Sequence, residues 1–444
     1  MGRCAVSTQK QKRPFALRAL AAFAGTLAIL FVLLLAAYAL PGERVRQHVY
    51  DSARTIQNEG LYPEYLGFKL FQMDNYTDTL MLFEAASADE LPPLQAMMTN
   101  TAYNVDNFET LADDLAWYIE KDWSTGAQRT DAPTLEPFSY ARYWHGYLIW
   151  LRPLLLLMPY TGVRIVQYIV LFALLAVVLV QLRRRCGLRA AVWFAVSQLA
   201  VSVWFVPHQV QYFTCFMIAY AGCAWVLAKP RRSDVLCLGL LVLGTATAFC
   251  DLLVTPIITL GLPLTCWLLE PQQRLRGGVP QCALAVGGSL CWGTGYALCW
   301  AGKWALAGAV TGNNVLADAL HQAEVRTTAD TWHGIELTWR NIFGFLYDTL
   351  NSHHLFWPAL AVLAVLIALF LLSIRSKTAL VRALPLALTT CMTPAWFVLL
   401  RTHSIQHGWF TWRALGLTVF AGLAFLYYAC DLRAARRRLQ KGSI

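Results

Sequence analysis

The chain has 444 residues, 57% of them hydrophobic and only 14% charged, where a soluble domain carries about a quarter charged residues. That balance excludes an ordinary water-soluble globule and points to lipid as the surrounding solvent. The net charge of +10 does not indicate nucleic acid, because the cations sit in short connections between apolar runs, where membrane topology accounts for them.

The first apolar run, Leu17 to Leu40, follows a cytoplasmic N-terminus of residues 1–16 that carries Lys10, Lys12 and Arg13. It is long for a signal peptide and reads as an uncleaved anchor. Residues 41–164 then form a long outer segment, of a size that usually carries function or a subdomain. Within it VRQHVYDSARTIQNEG predicts a helix capped by Gly60, and the apolar-rich stretch from Tyr65 to Ser87 is expected to lie against the membrane. The run from Tyr143 to Tyr160 holds His145, Arg152, Pro153 and Pro159 among Trp and Tyr, which suits an interfacial helix better than a span.

Residues 165–301 supply the second to seventh spans: Ile165 to Leu182, Leu188 to Val206, Val210 to Ala228, two from Val235 to Leu269 with an outer turn at Asp251, and Gln281 to Ala301. The Gly-rich GGSLCWGTG, Gly287 to Gly295, is either a break or a close-packing face. A second outer loop, residues 302–354, precedes three spans within residues 355–430: Leu355 to Ile374, Ala383 to Leu400 and Ala414 to Cys430. A basic tail, 431–444, ends the chain. Each span is close to the roughly 17–25 residues a bilayer requires. The expected fold class is therefore an all-α polytopic membrane protein with about ten transmembrane helices and both termini inside. The clusters Arg183-Arg184-Arg185, Lys229-Pro230-Arg231-Arg232, Arg274 with Arg276, Arg375 with Lys377, and Arg436-Arg437-Arg438 then fall on one side with only Asp234, Glu270 and Asp431 among the acids, as positive-inside topology demands. All but Cys4 and Cys186 of the 12 cysteines lie in or at the ends of spans and read as small hydrophobes.

Candidate chemistry concentrates on the outer side, where all nine histidines fall: His48, His145, His208, His321, His333, His353, His354, His403 and His407. In MDNYTD, Asp74 and Asp78 share one face of a helix; one of them is a candidate general base for a hydroxyl, against the plain alternative of a solvated acidic loop. His145 and Arg152 offer an imidazole and a forked donor for phosphate at headgroup depth, or a snorkelling Arg in an aromatic belt. In the last outer segment Arg401, His403, His407 and Arg413 stand among Trp409 and Trp412. The i,i+4 histidine spacing admits a divalent metal, with polar packing or phosphate contact as the competing reading. Asp251 is a candidate because a carboxylate in an apolar run is costly. P-loop, dinucleotide fingerprint, Ser elbow and Cys-x-x-Cys are all missing, which excludes soluble nucleotide chemistry on the inner side.

This layout, with a long outer loop after the first helix and another after the seventh, resembles the GT-C superfamily of integral-membrane glycosyltransferases. The resemblance implies a sugar carried on a polyprenyl phosphate as donor and an extracytoplasmic glycan as acceptor at a plasma-membrane site. It assigns the catalytic acid to Asp74, with Asp78 or Glu84 in reserve. It also implies that Arg152, Arg401 and Arg413, with Lys303, Arg326 or Arg340 from the second loop, hold the carrier phosphate, and that a divalent metal is an optional cofactor. His145-Gly146 stands where some members have His-Pro-Pro. The words YARYWHGYLIWLRPLL, DLLVTPIITLGLPL and HSIQHGWFTWR are similar to those of a group of bacterial multi-span proteins. Two other classes fit the layout: a transporter or flippase of a lipid-linked saccharide, which would need polar groups in broken helices, and a membrane scaffold that binds a partner through its acidic outer segment.

Overall fold

The computed structural model describes residues 14–88, 90–104, 136–327, 331–332, 334–351, 354 and 356–431. The basic tail beyond Asp431, the cations before Pro14, Cys4, His333 and His353 lie outside the described residues.

After α1 (Phe15–Tyr38) the chain builds a folded unit from α2 (Glu43–Glu59), single 3-10 turns at Tyr65–Gly67 and Lys69–Phe71, α3 (Asn75–Ser87), α4 (Pro93–Thr99), β1 (Thr101–Asn104), β2 (Glu136–Ser139) and α5 (Leu148–Leu155). The two strands are antiparallel, with Thr101 opposite Ser139. The bundle follows: α6 (Tyr160–Cys186), α7 (Leu188–Ala200), α8 (Val210–Ala228), α9 (Ser233–Cys250), α10 (Ile257–Leu268), α11 (Pro271–Arg276) and α12 (Gly278–Thr311). Then come α13 (Val315–Thr327), the two-residue strands β3 (Thr331–Trp332) and β4 (Ile335–Glu336), α14 (Trp339–Asn351), α15 (Phe356–Ser373), α16 (Lys377–Leu399), α17 (Arg401–Gln406), α18 (Gly408–Thr411) and α19 (Leu415–Ala429).

Among the described residues eight helical stretches are long and apolar enough to cross a membrane: α1, α6, α8, α9, α12, α15, α16 and the run from α18 through α19. The chain is a predominantly helical, multi-pass membrane protein on that basis. The other two segments read as spans, α7 and α10, are 13 and 12 residues long, about 18–20 Å at 1.5 Å per residue. That is short of the hydrocarbon thickness.

Two stretches differ from the sequence reading. The segment from Tyr143 to Tyr160 is α-helical only over Leu148–Leu155, and its Arg152 is wholly buried. Tyr65 to Ser87 does not lie as one surface layer: α3 buries ten of its 13 residues, Asn75, Asp78 and Glu84 among them. The Gly-rich stretch is resolved as close packing, since α12 runs unbroken for 34 residues through it. A Cβ on Gly288 would stand 2.7 Å from Leu240 Cδ1, and one on Gly295 would stand 2.8 Å from Thr245 Oγ1. Small residues let α9 and α12 approach this closely. Gly295→Leu should therefore lower the melting temperature in detergent, by an overpacking cost of about 1–3 kcal/mol.

Polar contacts sort the helix ends. Arg18 bonds Asp234 at 2.8 Å, Arg185 bonds Glu270 at 2.7 Å and Arg274 bonds the Tyr428 hydroxyl at 2.5 Å. These ties bring the starts of α1, α9 and α11 and the ends of α6, α10 and α19 to one basic end of the bundle. The unit from α2 to α5 covers the opposite end.

Candidate functional site

The covered end holds three buried polar clusters. In the first, Asp74 is the N-cap of α3, a position where a short acceptor side chain is favoured because it satisfies a free backbone N–H. Its carboxylate accepts from the Thr77 N–H at 3.0 Å, the Thr77 hydroxyl at 2.7 Å and Gln211 Nε2 at 2.8 Å. Its own N–H donates to Gln209 Oε1 at 2.7 Å. Burial pushes the Asp74 carboxyl up, and the Thr77 and Gln211 bonds oppose that rise. One turn on, Asp78 accepts from the Tyr160 hydroxyl and from the Val210 and Gln211 N–H groups at 3.3 and 3.4 Å. It therefore faces the N-terminus of α8, the favourable end of that helix for an anion. Burial holds the Asp78 carboxyl well above its usual range despite the pull of Arg164.

Arg413, 339 positions from Asp74, is brought to the same place. Its guanidinium lies 4.6 Å from the Tyr212 ring centroid and 5.3 Å from that of Trp412. Nη2 reaches the Leu70 and Gln72 carbonyls at 3.3 and 3.5 Å, just before Asp74. Arg413 is 1% exposed, and the side-chain partner of its guanidinium is the neutral Tyr212 hydroxyl. A buried cation held by a hydroxyl and two carbonyls is suited to an anionic group.

In the second cluster Glu84 accepts from the Tyr147 hydroxyl and lies 2.7 Å from His145 Nδ1. His145 Nε2 faces the Tyr140 carbonyl at 3.1 Å, and the residue holds a left-handed φ of 55°. Such backbone strain in a non-glycine residue persists only where the surroundings impose it. Arg152 donates to the Ala85 and Leu40 carbonyls at 2.9 and 2.7 Å. Lys303 donates to the Met97 carbonyl at 2.7 Å and Asn100 Oδ1 at 2.6 Å, at the C-terminal end of α4, where a cation is favoured. The structure thus gives Arg152 and Lys303 protein acceptors in place of a phosphate.

The third cluster joins α17 to the break between α9 and α10. His403 Nε2 meets the Leu253 carbonyl at 2.8 Å and Nδ1 meets Arg326 Nη1 at 3.3 Å. Because Nε2 must donate to a carbonyl, Nδ1 spends its lone pair on Arg326. His403 is then unable to ligate a metal, although its ring centroid is 4.7 Å from that of His407. No trio of His, Cys, Asp or Glu among the described residues is arranged to hold an ion, so the histidine pair does not fit the expected metal. Burial and Arg326 hold His407 down to about 4, and His403 lies well below its usual value through burial, His407 and Arg326. Arg340 is exposed on α14 and Arg401 is half-buried at the start of α17, two residues before His403.

Asp251 caps the break. Oδ1 accepts from the Val254 N–H at 3.2 Å, and the Cys215 thiol lies against the carboxyl as its side-chain partner. Burial pushes its carboxyl up to about 7. The folded state therefore holds this proton across a range in which the unfolded chain has lost it, so Asp251 makes the protein less stable as pH rises from about 4 to about 7. Melting temperatures at pH 5 and pH 8 should differ more in wild type than in Asp251→Asn, with wild type the more strongly destabilised at pH 8.

Sequence reasoning missed Gln209, Gln211, Tyr212, Tyr160 and Arg164, all of which touch the Asp74 cluster. The one available signal was the polar pair Gln209 and Gln211 opening an otherwise apolar run. No family model, curated protein or solved structure matches the chain.

Proposed function

We propose that the protein is a glycosyltransferase of the plasma membrane, with ten membrane elements, both termini in the cytoplasm and its site on the extracytoplasmic face. It would move a sugar from a polyprenyl-phosphate carrier to a cell-surface glycan. The observation that carries this reading is the pairing of a buried acid, Asp74, with a buried cation held by neutral groups, Arg413, through Gln211 and Tyr212 at consecutive positions of α8. An acceptor hydroxyl attacks the anomeric carbon and gives its proton to Asp74. The bond from that carbon to the carrier phosphate oxygen breaks, and the electron pair leaves with the phosphate. The Arg413 guanidinium, held by neutral groups, is suited to the charge that grows there, and the raised Asp74 carboxyl brings the base closer to neutrality.

The test is the surface-glycan composition of cells carrying Asp74→Asn against wild type and a deletion, at equal membrane levels of protein. Loss of the same sugar in the variant and the deletion supports transfer; wild-type glycans in the variant beside an altered deletion remove Asp74 as base. A flippase reading draws on one feature, the six-residue break from Asp251 to Pro256 between two apolar helices, since transporters place sites at such breaks. It predicts that the lipid-linked sugar accumulates on the inner leaflet in Asp251→Asn cells but not in Asp74→Asn cells.

A further inference from the structure

At the basic end of the bundle, α11, α12, α16 and the end of α19 surround a cavity of roughly 500 Å³. Arg274, Arg375 and Arg382 line it with Ser376, Gln281 and Tyr428, and among the described residues no carboxylate does. Two of the nearby acids have other cations: Glu270 pairs with Arg185 at 2.7 Å and Asp234 with Arg18 at 2.8 Å. Arg274 reaches the Tyr428 hydroxyl and Arg375 the Cys430 carbonyl, both neutral partners; Asp431, next along the chain, does not line the cavity. Gln281 is 2% exposed and its Nε2 donates to the Gln273 carbonyl and Oε1 at 3.2 and 3.1 Å, so it adds no charge to the cavity.

The cavity also contains a helix start. Ser376 caps α16 by accepting from the Ala379 N–H at 3.1 Å, so the N–H groups of Lys377 and Thr378 have no partner within the helix. The N-terminus of a helix repels cations, yet three guanidinium-bearing residues stand around this one. Positive-inside topology explains why arginines occur at this end of the bundle. It does not explain their convergence on one cavity at the helix end that disfavours them; an anion there would relieve the repulsion.

One wall of the cavity is apolar, built by Leu268, Pro385 and Leu386. Beyond it α16 continues with Val381, Leu384 and Leu388 exposed, at 46, 42 and 38%, a stripe along which an acyl chain can lie. We infer that this cavity binds the phosphate headgroup of an anionic glycerophospholipid, held by Arg274, Arg375 and Arg382 at the start of α16 with its chains along that stripe. A free phosphate shares the headgroup chemistry and lacks the chains. The site lies at the end of the bundle opposite Asp74 and stands whether or not Asp74 is a base.

The test is the melting temperature of the full-length protein, purified and delipidated in neutral detergent, with added phosphatidylglycerol, phosphatidylcholine or inorganic phosphate. Binding to the folded state raises the midpoint. The expected result is a rise of several degrees with phosphatidylglycerol and little change with phosphatidylcholine or phosphate. Arg375→Gln/Arg382→Gln should lose the rise that phosphatidylglycerol gives. Both residues are exposed, so the double variant should melt like wild type in phosphatidylcholine. If it melts early, native mass spectrometry of wild type decides, by retention of phosphatidylglycerol over phosphatidylcholine. Equal responses to the two lipids, an undiminished response in the double variant, or a match by inorganic phosphate alone would overturn the lipid assignment.

Discussion

On the proposed transferase function, Asp74→Asn should cut sugar transfer by about 10²–10⁴-fold, the range a positioned general base supplies, with little loss of stability. Asparagine keeps the oxygen that caps α3, accepting from the Thr77 N–H now made at 3.0 Å, and is as good an N-cap as aspartate. It loses the second oxygen, which takes the Thr77 hydroxyl and Gln211 Nε2, and with it the ability to receive a proton. Asp74→Ala removes the cap as well and should cost about 1 kcal/mol of stability besides. The two variants separate the capping role from the proposed chemical one. A transfer rate near wild type in Asp74→Asn, with a melting temperature lowered only in Asp74→Ala, would leave Asp74 as a cap alone.

The membrane character was legible because apolar runs of spanning length are a physical requirement of the bilayer, and basic clusters between them mark one side. The turn at Asp251 was legible because a lone carboxylate interrupts the apolar run. The break at Ser202 was harder to see: it lies inside the run read as one span from Leu188 to Val206, and the chain leaves the helix there through Ser202 in left-handed conformation, at φ 57°. Periodicity carries no trace of that. Asp74 and Arg413 were visible as charged residues at the edges of apolar runs, but their pairing depends on α8, whose Gln211 and Tyr212 face two elements far apart in sequence. Arg152 was read as a phosphate ligand from its place at headgroup depth, and Lys303 from the second loop that the resemblance assigns to the carrier; the structure buries both against main-chain carbonyls, which any residue carries and no sequence pattern announces.

Arg164→Met is expected to be the most disruptive single change at this end of the molecule. Arg164, 5% exposed, holds Glu59 through two bonds of 2.5 and 2.9 Å and lies 4.4 Å from the Tyr160 ring centroid. Glu59 ends α2, and the Asn75 carboxamide beside Arg164 opens α3, with Nδ2 on the Gly60 carbonyl at 2.7 Å. The guanidinium therefore joins α6 to both helices that present Asp74. Removing one partner of a buried pair costs roughly 3–5 kcal/mol, because the other charge is left without compensation. The lower end applies here, since the Glu59 side chain is 21% exposed. Arg164 also holds the Asp78 carboxyl down, so its loss should raise that group further and draw the Asp78 contact with α8 toward the protonated form. Glu59→Leu in the Arg164→Met background should recover most of the stability, because the stranded carboxylate is gone. Thermal unfolding of the wild type, both single variants and the double variant measures the coupling. Additive losses would mean that the pair is screened by water and that α2 and α3 are held by their apolar contacts instead.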